Sequence, residues 1–143
     1  MPYRVPEAML GAIPYTREAM MPDQAGMSNP LVKSAVIGTI LQLVMVVVGH
    51  FVPQVASAFP IAGTGIGGLA GLLNGLWSKG GSMGAAAGGG AVAGGAGGLI
   101  GTLVSSLMGD VPMSTLVVGT GSTAVAGIVG GLIGKVLGGR SAS

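Results

Sequence analysis

Charge is what this sequence has least of. Six basic and four acidic side chains are spread over 143 residues, where an ordinary soluble domain carries roughly a quarter charged positions. Cysteine is absent, which excludes disulfides and thiol chemistry and leaves the redox compartment unreadable. Aromatic residues are reduced to one Trp, two Tyr and two Phe. With a net charge of only +2 and no basic stripe, the chain has neither the stacking platform nor the electrostatic footprint of a nucleic-acid binder. No Asp or Glu stands between Asp23 and Asp110, so ion-coupled transport through intramembrane carboxylates has nothing to work with.

What remains is apolar and small. Half of the residues are hydrophobic, 30 are glycine and 8 are proline, and the mean hydropathy is +0.80. Disordered low-complexity chains are also rich in Gly and Pro, but they are poor in the Leu, Val and Ile that fill the space between glycines here. In water this glycine content would undermine helices, at about 1 kcal/mol per exposed position relative to Ala. A bilayer changes the terms. Its core offers no partner for N–H and C=O groups, so an apolar, non-alternating segment satisfies them internally as helix. Small residues then let helix backbones approach closely. The expectation is an all-α integral membrane protein.

Four runs are long enough to span. Residues 31–52 have only Lys33, Gln42 and His50 as strongly polar side chains, over the roughly 20 residues a crossing needs. Pro53 ends that run. The second covers 55–78, with Pro60 near its first turn and Trp77 placed as an interfacial anchor. The third, 83–109, begins with Gly and Ala that gain little on transfer to lipid, leaving a full crossing and a re-entrant helix both open. The fourth, 114–137, is expected to close at Gly138 and Gly139. Residues 1–29 hold four prolines and mixed charge, and are expected to lie as an interfacial segment before the transmembrane domain of 30–143. They do not read as a signal peptide, so the first span would serve as an uncleaved one. With both termini on one side, Arg4, Arg17, Lys33, Lys79, Lys135 and Arg140 all share that side, which the positive-inside rule makes cytoplasmic.

The chain also repeats itself. At a constant offset of 56, Gly63, Thr64, Gly65, Ala70, Gly71, Gly75, Leu76 and Lys79 recur as Gly119, Thr120, Gly121, Ala126, Gly127, Gly131, Leu132 and Lys135. Ile37-Gly38-Thr39 recurs as Ile100-Gly101-Thr102, and Val52-Pro53 as Val111-Pro112. The spacing predicts two parallel-repeat hairpins, 31–82 and 94–139. Within them Gly63, Gly67, Gly71 and Gly75 form one groove, answered by Gly119, Thr123, Gly127 and Gly131, with Gly97, Gly101, Ser105 and Gly109 on the third span. This pattern resembles glycine-zipper membrane segments, a resemblance that implies helix packing and no particular activity.

Other motifs dissolve on inspection. Gly63 to Gly68 satisfies G-x-G-x-x-G, yet no strand precedes it and no acidic residue follows near enough to bind a ribose. Gly130 to Lys135 is too short for a phosphate loop, and Val136 stands where a hydroxyl should hold magnesium. Glycine-rich hairpins also resemble the ring subunits of rotary ATPases; that resemblance implies a mid-membrane carboxylate, which these spans lack. His50 is a possible ligand for a metal or pigment, but a single His reads more readily as an interfacial side chain. Ser105, Ser106 and Thr120 have no base beside them.

The chain is therefore expected to be non-enzymatic, without cofactor or metal: a structural or assembly subunit that packs through small-residue faces into a homo-oligomer, a larger membrane complex or a lipid-containing virion. The partners expected are lipid and other membrane subunits, in a bacterial inner membrane or a viral one. The competing expectation is an oligomeric pore, holin-like or channel-like, with Thr39, Gln42, Thr64, Asn74 and Thr120 turned to a lumen.

Overall fold

The structure, a computed structural model, describes residues 29–140. The expected interfacial segment at 1–29 lies almost wholly outside the described residues. Among the described residues five helices follow one another: α1 (Pro30–Phe51), α2 (Pro53–Ser57), α3 (Phe59–Trp77), α4 (Met83–Leu107) and α5 (Thr115–Arg140). Four of them, at 19 to 26 residues, are long and apolar enough to cross a membrane. At 1.5 Å per residue they measure about 28–39 Å, against a hydrocarbon core of about 30 Å.

Local chemistry sets the ends. The Asn29 side chain accepts a hydrogen bond from the Leu31 N–H at 2.9 Å, and Pro30 occupies the first turn of α1, where a missing N–H is harmless. Ser82 caps α4 in the same way, accepting from the Ala85 N–H at 3.1 Å. The turns at Gly80 and Gly109 have φ of +74° and +82°, a left-handed conformation for which glycine carries no Cβ penalty.

Three boundaries differ from expectation. The run 55–78 does not form one helix: α2 ends at Ser57 and α3 restarts at Phe59, because Pro53 and Pro60 are each tolerated only in a first turn. α4 stops at Leu107, so Gly109 belongs to a turn and not to a helical stripe. α5 runs through Gly138 and Gly139 to Arg140. There Gly138 packs so closely that an added Cβ would lie 3.1 Å from the Leu76 carbonyl oxygen. The Gly/Ala-rich start of α4 is continuous helix, for a length of 25 residues.

The helices form a four-cornered bundle. α5 packs extensively on both α3 and α4, α3 and α4 touch across the middle, and α1 lies more lightly on the other side of that pair. Lys79, Lys135 and Arg140 gather at the end where α1 begins, with Lys33; His50 and Asp110 meet at the other. The interior inverts the usual soluble pattern. Its buried apolar side chains are Val46, Ala70, Ala86 and Ala93, accompanied by Ser34, Gln42, Asn74, Ser105, Thr123 and many glycines, while Val36, Ile40, Val44, Leu107, Val117 and Val125 face outward. Water would drive such a molecule to turn inside out, whereas a bilayer solvates it as it stands.

Candidate functional site

Two features stand out, at opposite ends of the bundle. The first is a seam of main chain on main chain. Gly67, Gly71 and Gly75 of α3 face Thr123, Gly127 and Gly131 of α5, each pair separated by the same 56 residues as the sequence repeat. A Cβ on Gly67 would lie 2.7 Å from the Thr123 carbonyl oxygen, and Cβ atoms on Gly71 and Gly75 would overlap the carbonyl oxygens of Gly127 and Gly131. From the other side, Cβ atoms on Gly130 and Gly134 would overlap the carbonyl oxygens of Gly68 and Leu72. Only glycine leaves room for this approach.

α4 completes the seam through a face offset from the Gly97, Gly101 and Ser105 stripe. Gly90 and Gly94 press on the carbonyls of Gly127 and Thr123, and Gly98 on the Thr123 hydroxyl. These three are spaced by four residues, a signal present in the sequence but lost among neighbouring glycines. The stripe expected from the sequence looks elsewhere: Gly97 and Gly101 lie against α1, where a Cβ would sit 3.3 Å from the Gly38 carbonyl carbon and 3.0 Å from the Gln42 Cβ. Gly63 and Gly119 lie above the seam. A Cβ on Gly63 would meet Gln42 Oε1 and the Met45 methyl at an ordinary 3.5 Å, and one on Gly119 would crowd Thr102 Oγ1 at 2.6 Å.

The second feature is a partly open cavity of about 510 Å³ near the His50 end, to which all four long helices and α2 contribute. Gln42 and Thr64 reach it, whereas Thr39, Asn74 and Thr120 do not line it. Gln42 is 4% exposed and its amide donates to the Gly63 carbonyl at 2.9 Å. Asn74, 2% exposed, sits instead at the seam end between α3 and α4, its amide 3.5 Å from the Ala86 carbonyl oxygen. The Thr120 hydroxyl is buried with no hydrogen-bond partner, as are those of Ser105 and Ser106. Of the five polar side chains considered for a lumen, Gln42 and Thr64 thus line this cavity.

At the rim, His50 Nδ1 and Asp110 Oδ1 are 2.8 Å apart. The pair ties the end of α1 to the turn after α4, a link across sixty residues that no sequence spacing announces. Among the described residues no group of three His, Cys, Asp or Glu side chains comes together as a metal site. At the opposite end the Lys135 ammonium donates to the Ser78 carbonyl at 2.6 Å. A cation there meets the negative end of the α3 dipole. The chain matches no protein-family model, no curated protein and no solved structure.

Proposed function

We propose that this chain is a non-enzymatic structural subunit of the membrane, assembling with copies of itself or with other subunits through small-residue helix faces. One observation carries the reading. After the internal seam is packed, Gly65, Gly88 and Gly121 have nothing within 4 Å of where a Cβ would stand. Glycine on a lipid-facing helix surface contributes little transfer energy, and its use is to admit another backbone. Gly65 and Gly121 are equivalent positions of the repeat, so two helices carry the same opening.

On this reading α1 to α3 and α4 to α5 descend from one duplicated hairpin and pack as a glycine zipper. Support comes from repeat-equivalent residues lying side by side in α3 and α5. The end bearing Lys33, Lys79, Lys135 and Arg140 faces the cytoplasm or virion interior, by the positive-inside rule. Cysteines placed at Ser57, Ser82 and Ser114 are then expected to label from outside, inside and outside; the inverse pattern reverses the orientation, and any other breaks the four-span topology.

The test replaces Gly65 and Gly121 with Leu, leaving the internal seam untouched. Purified in mild detergent, the double variant should keep its helix content and lose its oligomeric mass. Unchanged mass removes the assembly reading. Release of ions or dye from proteoliposomes at low copy number would favour the pore instead.

A further inference from the structure

The charged end of the bundle carries a second recess, apart from the cavity near His50. It is a slot of about 190 Å³ at the last turns of α3 and α5, and both Lys79 and Lys135 line it. These lysines are equivalent positions of the sequence repeat. Much of the remaining wall is glycine. A Cβ on Gly75 would overlap the Gly131 carbonyl oxygen, whereas Cβ atoms on Gly80 and Gly139 would have nothing within 4 Å. The slot is therefore closed by main chain at Gly75 and open where Gly80 and Gly139 stand.

Its charge is one-sided. Among the described residues the cations Lys33, Lys79, Lys135 and Arg140 lie at this end, and the only side-chain carboxylate, Asp110, is paired with His50 at the other. α1 and α4 begin here while α3 and α5 finish here, so the helix dipoles offset one another and the lysines set the sign. The negative end of α3 is met directly, because the half-buried Lys135 ammonium donates to the Ser78 carbonyl at 2.6 Å. An ammonium carries three N–H groups, which leaves two on Lys135 for a ligand. Lys79 is exposed.

These properties select an occupant. Two lysines with no carboxylate in the lining favour an anion, and phosphate is what lysine binds as a point charge. The volume is below the roughly 300–1,000 Å³ that encloses a whole small molecule, which fits a headgroup whose remainder stays outside. Leu76 lines the slot, and Trp77 and Leu137, next to slot residues in sequence, are exposed. They give acyl chains an apolar surface at the depth where Trp sits in an interface. We propose that the slot binds the headgroup of an anionic phospholipid, its phosphate between the Lys79 and Lys135 ammonium groups and its chains along the outer surface of α3 and α5. Basic recesses between membrane helices hold such headgroups in the same manner. The site requires that the helices cross a bilayer and is independent of how copies assemble.

The chain supplies its own probe, since Trp77 is its single tryptophan and adjoins Ser78 of the slot. The full chain is reconstituted in phosphatidylcholine vesicles containing a minor fraction of phosphatidylglycerol brominated on its acyl chains near the headgroup. Quenching of Trp77 should saturate, and should need at least fivefold more brominated phosphatidylcholine to reach the same level. Lys79→Gln and Lys135→Gln should each weaken the preference about fivefold, the loss of one lysine at a membrane surface, with circular dichroism unchanged. Gly139→Leu keeps every charge and fills the slot, and should abolish the preference. Equal quenching by the two lipids would overturn the site. So would a preference that survives Gly139→Leu, which would mark diffuse surface charge, or quenching relieved by free glycerol phosphate, which would mark a soluble ligand.

Discussion

The two ends of the bundle use the same helices to opposite effect. From Gly67 to Gly75, α3 meets α5 with carbonyls against bare Cα atoms, and α4 closes in through Gly90 and Gly94. One turn further toward His50 the inward residues become Gln42, Thr64, Ser105, Ser122 and Thr123, and the helices part around a cavity. Serine and threonine are too bulky for main chains to touch and too small to fill the gap they create. The hydroxyls of Thr64, Ser122 and Thr123 turn back on their own helices, and Thr64 reaches Ser122 across the gap only at 3.5 Å. Close packing in this protein is thus a property of what side chains leave out, and it ends where side chains begin.

The contrast can be broken or sharpened by substitution, with unfolding followed by circular dichroism in mixed detergent micelles. The largest effect is expected from Gly71→Leu, whose side chain would have to displace the Gly127 carbonyl. It should destabilise by about 3 kcal/mol or more. Gly67→Ala puts one methyl 2.7 Å from the Thr123 carbonyl oxygen and should destabilise by about 1–3 kcal/mol. Next comes Gln42→Ala, which removes a buried interhelical hydrogen bond and should lower stability by about 0.6–2 kcal/mol.

The same Gly-to-Ala change one turn away should reverse sign. At Gly63 the new methyl meets neighbours at 3.5 Å, so Gly63→Ala is expected to stabilise by about 0.4–1 kcal/mol through lost chain entropy. If Gly63→Ala and Gly67→Ala behave alike, the division into two halves is wrong. The smallest effect belongs to Asp110→Asn, which loosens a pair at the solvated rim and should shift stability by less than about 1 kcal/mol.

The helices were legible because their formation in a bilayer is a local matter. Each backbone must satisfy its own polar groups, so hydropathy, run length and proline place four apolar helices within a few residues of where they stand. The break at Ala58 was implicit in Pro60, and the residual error at Gly138 arose because a glycine pair that stops a helix in water is held helical here by packing on Leu76.

The repeat marked Gly67, Gly71 and Gly75 against Thr123, Gly127 and Gly131 as equivalent positions. That these equivalents touch one another is a separate fact, decided by how α3 and α5 come to lie parallel in the bundle. With 30 glycines in the chain, several faces of every helix permit close approach, and composition cannot choose among them. Which face wins depends on shape complementarity summed over three helices at once. The pairing of His50 with Asp110 and the cavity between Gln42 and Thr64 depend on the same choice. Helix identity was therefore written in short stretches of sequence by the demands of an apolar solvent, whereas seam, cavity and rim exist only once distant helices have settled their mutual register.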